Sequence, residues 1–261
     1  SGDPELGHVY LPIESATGDR YGGDRPGDNL FSESVVALDI KTGERQWHYQ
    51  LTHHDIWDWD IPSAPVISDL PNGQKVLMSV TKQSWIYTFD RATGEPIWPI
   101  EERPVPAGDV PGEWYSPTQP FPTNPPPFDR QGFTEKDLID WTPEIRALAL
   151  DATEGFRLAP SVYSPPSLAD AEDGTRGTLS LPSATGGANW EGAAIDPETG
   201  MIYVPSRTAL AVMSLGKDKD SDLDLSAAFG VRVPRVQGLE IVKPPYGRIT
   251  AIDMKTGEHQ W

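Results

Sequence analysis

A hairpin motif that ends in tryptophan recurs three times in this chain and constrains its fold more than any other feature. The copies are Ala37–Glu44 leading to Trp47, Thr88–Glu95 leading to Trp98, and Ala251–Glu258 leading to Trp261. Each reads as an apolar strand, an Asp-x-x-Thr-Gly turn in which glycine adopts a positive φ, and a return strand. An indole at one fixed place in every copy indicates that each unit docks onto its neighbour, as sheets around an axis require. The repeat therefore predicts an all-β chain, a β-propeller with four-stranded blades of about 40–50 residues.

A second repeated motif helps to place the blades. Asp3–Pro12 recurs as Asp196–Pro205, in both cases a tight turn feeding a strand with a β-prone Val-Tyr or Ile-Tyr pair. The expected blades are the start to Gln50, about Pro65 to Ile100, and a third beginning near Asn189. We interpret residues 1–261 as one partial propeller domain of about three blades, with a proline-rich insertion at about 101–186. Because the sequence stops at Trp261, inside a repeat, we expect the remaining blades to belong to a longer chain.

The insertion carries its own signals. Gln119–Phe128 is rich in proline, which fixes φ and lacks an N–H donor, so extended polyproline II is predicted there. Two short helices are predicted, Glu135–Ile139 capped by Thr134 and Glu144–Leu150 capped by Thr142. Long insertions in compact domains are usually lids, binding loops or subunit contacts, and the sequence leaves these three roles open.

The composition excludes several classes of function. With a formal charge of −18 the chain is repelled by nucleic acid and by anionic membrane surfaces, so neither is an expected partner. No cysteine is present, which rules out disulfides and thiol catalysis within these residues. No apolar run approaches the roughly 20 residues that span a bilayer. Glycine-rich phosphate loops, serine elbows and His-Glu-x-x-His zinc motifs are also missing.

The densest cluster of chemically active side chains is His53–Asp60, which we call the central stretch. It holds two histidines, three aspartates and two tryptophans. It does not alternate as a solvated strand would, and buried carboxylates need partners. Two interpretations have about equal support from composition: a functional site in which indoles form a platform for a flat aromatic ligand, and an acidic surface loop whose indoles pack on strands. His53 and His54 would face opposite sides of a strand and would not share a metal ion.

Together, the hairpin repeats and the His-His-Asp-x-Trp-Asp-x-Asp pattern resemble the quinoprotein dehydrogenases, eight-bladed propellers that hold pyrroloquinoline quinone (PQQ). The chain is more similar to the glucose dehydrogenase-like branch than to methanol dehydrogenases. The motifs behind this preference are Thr81–Gln83, Trp98–Pro106 and Ser116–Phe121, while Arg25–Leu30 and Gly186–Trp190 fit the wider family. The resemblance covers essentially the whole chain and about the middle half of such an enzyme.

The resemblance implies roles for four residues. Asp58 matches the catalytic aspartate, the general base that takes the hydroxyl proton as hydride leaves the alcohol carbon for C5 of the quinone. Lys82 matches the basic residue at the quinone oxygens, where an ammonium stabilises negative charge on the reduced cofactor. Asn189 matches a residue that hydrogen-bonds the cofactor, and Trp190 lies next to it, so both are expected to bind PQQ. Without the resemblance, Lys82 would be a strand lysine reaching solvent, and Asn189 with Trp190 a turn followed by a core residue.

The resemblance also implies a metal ion. Asp58 and Asp60 are the expected metal-binding carboxylates, and oxygen ligands suit calcium, magnesium or, as in some relatives, a lanthanide. The family usually places a metal-binding asparagine in the turn after the first strand, whereas this chain has Ser15, preceded by Glu14. Either one of these two residues supplies an oxygen or the metal site is weaker. The other metal-binding carboxylate and the indole that stacks on PQQ would lie upstream of this chain.

The expected function is PQQ-dependent oxidation of a sugar, polyol or alcohol, with electrons passed to a membrane quinone or a cytochrome c. The resemblance implies a periplasmic enzyme, with attachment to the inner membrane through parts outside this chain. An alcohol dehydrogenase of the same mechanism is one alternative, and a non-catalytic propeller of the outer-membrane assembly type is another. The coincidence of Asp58, Lys82 and Asn189 favours an enzyme, and the altered Glu14–Ser15 turn favours the scaffold.

Overall fold

The computed structural model describes all residues from 1 to 261, and its regular secondary structure consists mainly of short strands. In chain order the strands are β1 (Gly2–Asp3), β2 (His8–Pro12), β3 (Ser34–Asp39), β4 (Arg45–Gln50), β5 (Val66–Asp69), β6 (Lys75–Val80), β7 (Ile86–Asp90), β8 (Ile100–Pro104), β9 (Thr118–Pro122), β10 (Arg157–Leu158), β11 (Ser167–Leu168), β12 (Thr178–Ser180), β13 (Ala194–Asp196), β14 (Met201–Arg207), β15 (Ala211–Gly216), β16 (Ser226–Ala227), β17 (Arg235–Val236), β18 (Leu239–Glu240), β19 (Gly247–Asp253) and β20 (Glu258–His259). A 3₁₀ turn spans Glu135–Asp137, and one α-helix, α1, spans Pro143–Asp151. No helix has the length and apolar character that a membrane crossing demands.

The first blade is a four-stranded antiparallel sheet in the order β1-β2-β3-β4. Its last hairpin is closed by Asp39, whose carboxylate accepts hydrogen bonds from the amides two and three residues further on, both at 2.8 Å. Gly43 completes the turn with a φ of 73°, which glycine adopts without a steric cost. The turn at Asp90 repeats this arrangement, and in the turn at Asp253 the carboxylate accepts the first of the two amides while the backbone oxygen accepts the second. The Asp-x-x-Thr-Gly hairpin predicted from the repeat is therefore confirmed.

Trp47 docks the first blade onto the second, as the repeat predicts. Its indole N–H donates to the carbonyl oxygen of Arg91 at 3.2 Å, and the hydroxyl of Tyr10 donates to the same oxygen at 2.8 Å. The indole ring also covers Gly94, where a Cβ would lie only 2.6 Å from the ring. The tryptophan of one repeat thus packs on the glycine turn of the next repeat.

The other two blades follow the same plan with variations. The second blade has the strand order β5-β6-β7, and a single bridge between Phe89 and Pro96 takes the place of a fourth strand. The third blade has the order β13-β14-β19-β20, with β14 paired to β19 along its whole length. Val76 of the second blade and Ile202 of the third belong to one shared apolar core. Three successive blades of a propeller are therefore present.

Part of the proline-rich stretch forms a strand, so the prediction of polyproline II throughout Gln119–Phe128 is wrong. β9 pairs antiparallel with β8 in a two-stranded ribbon. The amide of Thr123 donates to the carbonyl oxygen of Pro99, which makes this a hydrogen-bonded pair of the ladder. Because such pairs alternate along the ladder, Pro120 and Pro122 occupy the intervening positions, where the nitrogen faces away from the partner strand. The missing donors therefore cost the ribbon nothing.

Both predicted helix starts are present, but one helix is shorter than predicted. The hydroxyl of Thr142 caps α1 by accepting an amide hydrogen bond at 3.2 Å. The other segment forms only a 3₁₀ turn, and its C-terminal residue Leu138 is already extended. Leu138 forms a bridge with Val242, and the amide of Ile139 donates to a carbonyl beside it at 2.9 Å. Pairing with this distant segment ends the helix.

A second excursion, between β14 and β19 of the third blade, joins the insertion. Strands from both segments form one sheet in the order β10-β12-β15-β11, to which β16 adds by pairing with β15. Phe133 and Leu179 from the first segment share a buried core with Val212 and Ile241 from the second. We call residues 101–186 and 208–246 together the cap. The sequence analysis identified the first part of the cap and missed the second.

Candidate active site

The central stretch is a buried turn, so the interpretation as an acidic surface loop is wrong. Asp55 is fully buried and accepts hydrogen bonds from the amides of Trp57 at 3.1 Å and Trp59 at 2.9 Å. Asp58, which lies between these two amides, has a φ of 67°. Both indoles are buried, and their N–H groups donate to carbonyl oxygens of the cap at 2.8 Å and 3.2 Å. One buried carboxylate therefore fixes the backbone on both sides of Asp58.

Lys82 lies between the other two aspartates of the stretch. Its ammonium donates to Asp58 Oδ1 at 2.9 Å and to Asp60 Oδ2 at 2.7 Å, and also to the backbone oxygen of Asp58 at 2.9 Å. The Lys82 side chain is 6% exposed, so it does not reach into solvent. The structure thus brings together three residues that the sequence analysis placed in one site.

Burial and Lys82 shift the pKa values of the two aspartates apart. Burial raises the pKa of Asp58 to about 7, although the Lys82 ammonium opposes this shift. Burial also acts to raise the pKa of Asp60, but hydrogen bonds from Lys82 and from the Ser15 amide outweigh it and lower that pKa. One carboxylate is therefore firmly ionised while the other exchanges a proton near neutral pH. Such a pair is typical of a site for acid–base chemistry.

Ser15, in the turn where the resemblance implies asparagine, faces these aspartates. Its amide donates to Asp60 Oδ1 at 2.8 Å, and its hydroxyl donates to Asp55 Oδ2 at 2.6 Å. The preceding Glu14 is exposed. Of the two alternatives left open by the sequence, Ser15 is thus the residue in contact with the site.

The structure holds no group of three or more His, Asp or Glu side chains arranged to bind a metal ion. Asp58 and Asp60 bring two carboxylates to one place, with the Lys82 ammonium between them. Calcium takes about six to eight oxygen ligands in proteins. A metal ion at this place therefore needs oxygens beyond those of the two aspartates.

A cavity of about 370 Å³ opens beside Lys82. The residues that line it are Thr185–Glu191 and Pro205–Arg207. The amide of Gly187 donates to the Lys82 carbonyl at 2.8 Å, and the amide of Arg207 donates to the Gly187 carbonyl at 2.7 Å. A Cβ on Gly186 would lie 2.6 Å from the Lys82 side chain, so this wall requires glycine. The backbone of Gly187 is thus hydrogen-bonded to the backbones of both Lys82 and Arg207.

Asn189 and Trp190 form part of the same cavity wall. The Asn189 side-chain amide donates to the Thr185 carbonyl at 2.6 Å, and its side-chain oxygen accepts from the Trp190 amide at 2.8 Å. The Trp190 indole is 81% exposed. The interpretation of this pair as a turn followed by a core residue is therefore wrong.

Two residues of this region were not singled out from the sequence. Arg207 lines the cavity and has no ion-pair or hydrogen-bond partner for its guanidinium. Glu33 is fully buried, and neither of its carboxylate oxygens has a hydrogen-bond partner. Burial, followed by the nearby charge of Asp55, raises the pKa of Glu33 well above its usual value. Neither residue lies in a motif, so no local signal could have identified them.

Known proteins match this chain along its whole length. The sequence profile described as the PQQ "Glucose/ethanol/alcohol dehydrogenase, beta-propeller domain" matches residues 1–261. The quinate/shikimate dehydrogenase (quinone) of Acinetobacter baylyi is 31% identical over 285 residues, which covers 99% of this chain and 34% of that protein. The glycerol dehydrogenase large subunit of Gluconobacter oxydans is 32% identical over 293 residues, with 99% and 38% covered. The quinoprotein glucose dehydrogenase of Escherichia coli is 30% identical over 292 residues, with 99% and 34% covered.

Solved structures support the propeller fold. A europium-containing methanol dehydrogenase matches all of this chain with a TM-score of 0.60 at 20% identity, and the match covers 38% of that protein. A quinohemoprotein alcohol dehydrogenase from Comamonas testosteroni matches with a TM-score of 0.57 at 20% identity and is covered to 33%. The chain spans 34–38% of the length of the three curated relatives named above. Since the family profile matches every residue, the chain belongs to the PQQ-dependent dehydrogenase family and forms part of its β-propeller domain.

Proposed function

We propose that the protein containing this chain is a PQQ-dependent dehydrogenase that oxidises a CH–OH group of a sugar, polyol or alcohol, with Asp58 as general base. The arrangement of Asp58 carries this proposal. It is a partly buried carboxylate with a pKa raised to about 7, 2.9 Å from the Lys82 ammonium, on a backbone whose flanking amides are bound by Asp55. A base that is half-ionised near neutral pH is well matched to taking a proton from a hydroxyl group.

The cavity fits a flat anion such as PQQ, which carries three carboxylates on a fused ring system. Trp190 offers an exposed indole face, Asn189 an amide and Arg207 a guanidinium without a partner. Gly186 and Gly187 keep the wall beside Lys82 free of side chains. We propose that Lys82, Asn189 and Trp190 bind the cofactor, with Arg207 as a carboxylate-binding residue. When bound, PQQ supplies the acceptor for the hydride.

The residues of this chain then have distinct tasks. Asp58 accepts the hydroxyl proton at its carboxylate. Asp60, held ionised, keeps the Lys82 ammonium charged and in place, since burial alone would favour its neutral form. The buried indoles of Trp57 and Trp59 keep water away from the far side of the turn. Each of these tasks follows from contacts within the chain.

Asp58 and Asp60 are also the proposed metal-binding carboxylates. Carboxylate oxygens suit calcium, magnesium or a lanthanide, and one structural neighbour is described as europium-containing. A bound cation would lower the pKa of Asp58 and keep it ionised. The identity of the metal is therefore part of the experiment below.

The relatives guide the choice of substrates and partners to test. Their names include quinate/shikimate, glycerol and glucose dehydrogenases, all of which act on hydroxyl groups of polyhydroxylated molecules. We propose a sugar or polyol as substrate and a membrane quinone or a cytochrome c as electron acceptor. A periplasmic location with attachment to the inner membrane, and further blades from the rest of the protein, complete the proposal. A scaffold would have no use for the paired aspartates and ammonium, so the structure adds nothing in favour of that alternative.

The test uses the full-length protein purified without cofactor. PQQ is titrated with calcium, and separately with a lanthanide, while dye-linked oxidation of glucose, polyols and simple alcohols is followed. We expect turnover that depends on PQQ and metal, and that falls by about 100- to 10,000-fold in Asp58→Asn, the range for loss of a general base.

The control is Asp19→Asn, which changes an exposed aspartate between β2 and β3 of the first blade. It should leave turnover unchanged, and Asp58→Asn should still bind PQQ in an absorbance titration. If PQQ binds with neither metal, the dehydrogenase proposal is wrong and the scaffold takes its place.

A further inference from the structure

The cap sends one charged side chain into the buried interior of the central stretch. Glu113 lies 2.9 Å from His54, measured from Oε1 to Nε2. The His54 and Glu113 side chains are 0% and 2% exposed. Neither residue belongs to the proposed base, metal or cofactor site. A buried charge pair needs excellent geometry to be tolerated, so its contacts merit close description.

Further hydrogen bonds hold both members of this pair in place. Besides His54, the Glu113 carboxylate accepts from the amide of Gly22 at 2.7 Å and from the amide of Trp114 at 2.9 Å. Two backbone amides thus hold the two carboxylate oxygens in place. The other ring nitrogen of His54, Nδ1, lies 2.8 Å from the carbonyl oxygen of Gly27. Both ring nitrogens of His54 therefore face oxygen atoms, one of a carbonyl and one of a carboxyl group, which is the geometry of a ring that donates from both sides.

The surroundings are built around this pair. A Cβ on Gly22 would lie 2.4 Å from His54 Nε2 and 3.1 Å from Glu113 Oε1, so only glycine leaves room for it. The Trp114 ring contacts the imidazole edge-on, with the centroids 4.7 Å apart. Glu113 is the one ionisable side chain within hydrogen-bond distance of the imidazole. The cap alone therefore supplies the ionisable partner of the His54 imidazole.

His54 leads directly to the residues that hold the base. The next residue is Asp55, whose carboxylate binds the amides on both sides of Asp58. The His54 amide donates to the Asp28 carbonyl at 3.1 Å, and its φ is 46°. The turn is thus fixed at two successive residues, and the first of them depends on Glu113.

We infer that Glu113 is a positioning residue for Asp58: through its ion pair with His54, the cap fixes the turn that presents the base. This inference rests on the proposed function. It also assigns the insertion a role that the sequence left open. The cap supplies a fixed wall of the active site, because it binds the His53 amide through Gln119 at 2.8 Å as well as the two indoles.

The test compares the full-length protein with Glu113→Gln, which keeps the shape of the side chain and removes its charge. We expect kcat to fall by about 10- to 100-fold, because a displacement of about 1 Å at a catalytic group has effects of this size. KM and the dissociation constant of PQQ should change by no more than about twofold, since no cofactor contact is removed. The isotope effect with substrate deuterated at the CH–OH carbon should increase.

Glu172→Gln, which changes an exposed glutamate of the cap, is the matched control and should behave as the unmodified protein. The contrary result is a Glu113→Gln variant in which only the thermal stability is lowered and kcat per PQQ-loaded site is unchanged. That result would show a merely structural role and overturn the inference. No PQQ-dependent turnover in the unmodified protein would overturn the proposed function first, and this inference with it. If Glu113→Gln does not fold, His54→Gln takes its place, with the same expected loss of kcat.

A second readout is independent of activity. Ring ¹⁵N NMR of histidine-labelled protein should show His54 with both nitrogens protonated at neutral pH, the signals being assigned by their loss in His54→Gln. Glu113→Gln should convert this residue to a ring with one proton. A singly protonated His54 in the unmodified protein would contradict the ion pair.

Discussion

Asp58 combines a strained backbone with a carboxyl group whose pKa is raised to about 7. A φ of 67° is unfavourable for a residue with a side chain, by about 1–2 kcal/mol. The two amides bound by Asp55 hold the backbone in this conformation. The same conformation directs the Asp58 side chain toward Lys82. Contacts of the neighbouring backbone amides and of the Asp58 side chain therefore offset the cost of the strained backbone.

Replacing Lys82 should change the pH dependence of the base. Lys82→Met removes the cation that favours the ionised form of Asp58, so the pKa of Asp58 should rise. Since the proposed role of Asp58 as a base requires its ionised form, the rise of kcat/KM with pH should move to higher pH by about 1 unit or more. The measurement is a pH profile of kcat/KM with PQQ and metal in excess.

Lys75→Met serves as the control for this change, since Lys75 is a partly exposed lysine of the same blade. Its pH profile should coincide with that of the unmodified protein. A shift of the Lys82→Met profile toward lower pH would contradict the assigned role of the ammonium.

The repeated hairpin is the element that joins one blade to the next. Gly43 and Gly94 occupy the same position of the turn and have nearly the same φ, 73° and 76°. They differ in their surroundings, because Trp47 covers Gly94 while nothing lies within 4 Å of a Cβ on Gly43. At Gly43 only the positive φ of the turn requires glycine, whereas at Gly94 the docked indole also leaves no room for a Cβ.

Alanine at these two positions should destabilise the protein to different extents. Gly43→Ala should cost about 1–2 kcal/mol, which is the backbone strain of a positive φ. Gly94→Ala should cost about 1–3 kcal/mol more, because the methyl group displaces the Trp47 ring. Urea denaturation followed by tryptophan fluorescence measures both. Equal costs would show that the indole contributes nothing to blade docking.

Elements with a local cause could be predicted from the sequence, and elements that depend on distant partners could not. The hairpin turns and the Thr142 cap need only neighbouring residues, and both are present. The ribbon at Pro120 depends on its register with β8, and the short helix ends because Leu138 pairs with Val242. In the site, Asp58 and Lys82 were found through motifs, whereas the burial of residues such as Glu33 and Glu113 is set by the whole fold.

At the scale of the whole molecule, a chain with a formal charge of −18 buries several acidic groups. Most of them have hydrogen-bond donors, but Glu33 has none. Burial and the Asp55 charge raise its pKa above the value it has in the unfolded chain. Between these two pKa values the folded state binds more protons, so folding stability decreases as pH rises.

Glu33→Gln should remove this dependence. At pH 7 the variant should be more stable than the unmodified protein, by about 1.4 kcal/mol for each unit by which folding raises the pKa of Glu33, because glutamine needs no proton to stay neutral when buried. The difference should vanish below about pH 4, where the glutamate is protonated in both states. Denaturant titrations at several pH values measure it, with Glu44→Gln as the control at an exposed position. A stability gain that is independent of pH would show that Glu33 is not the titrating group.

The cap sheet has a consequence for the order in which the molecule forms. The first two blades close between strands that follow one another in the chain, whereas the third blade pairs β14 with β19 across residues 208–246 of the cap. The cap instead joins Ser167–Leu168 to Ser214–Leu215, and Leu138 to Val242, on either side of β13 and β14 of the third blade. Closing such long loops is slower, so the first two blades precede the third blade and the cap. Because Glu113 lies on the cap, the newly made protein completes its first two blades before the ion pair between Glu113 and His54 can form.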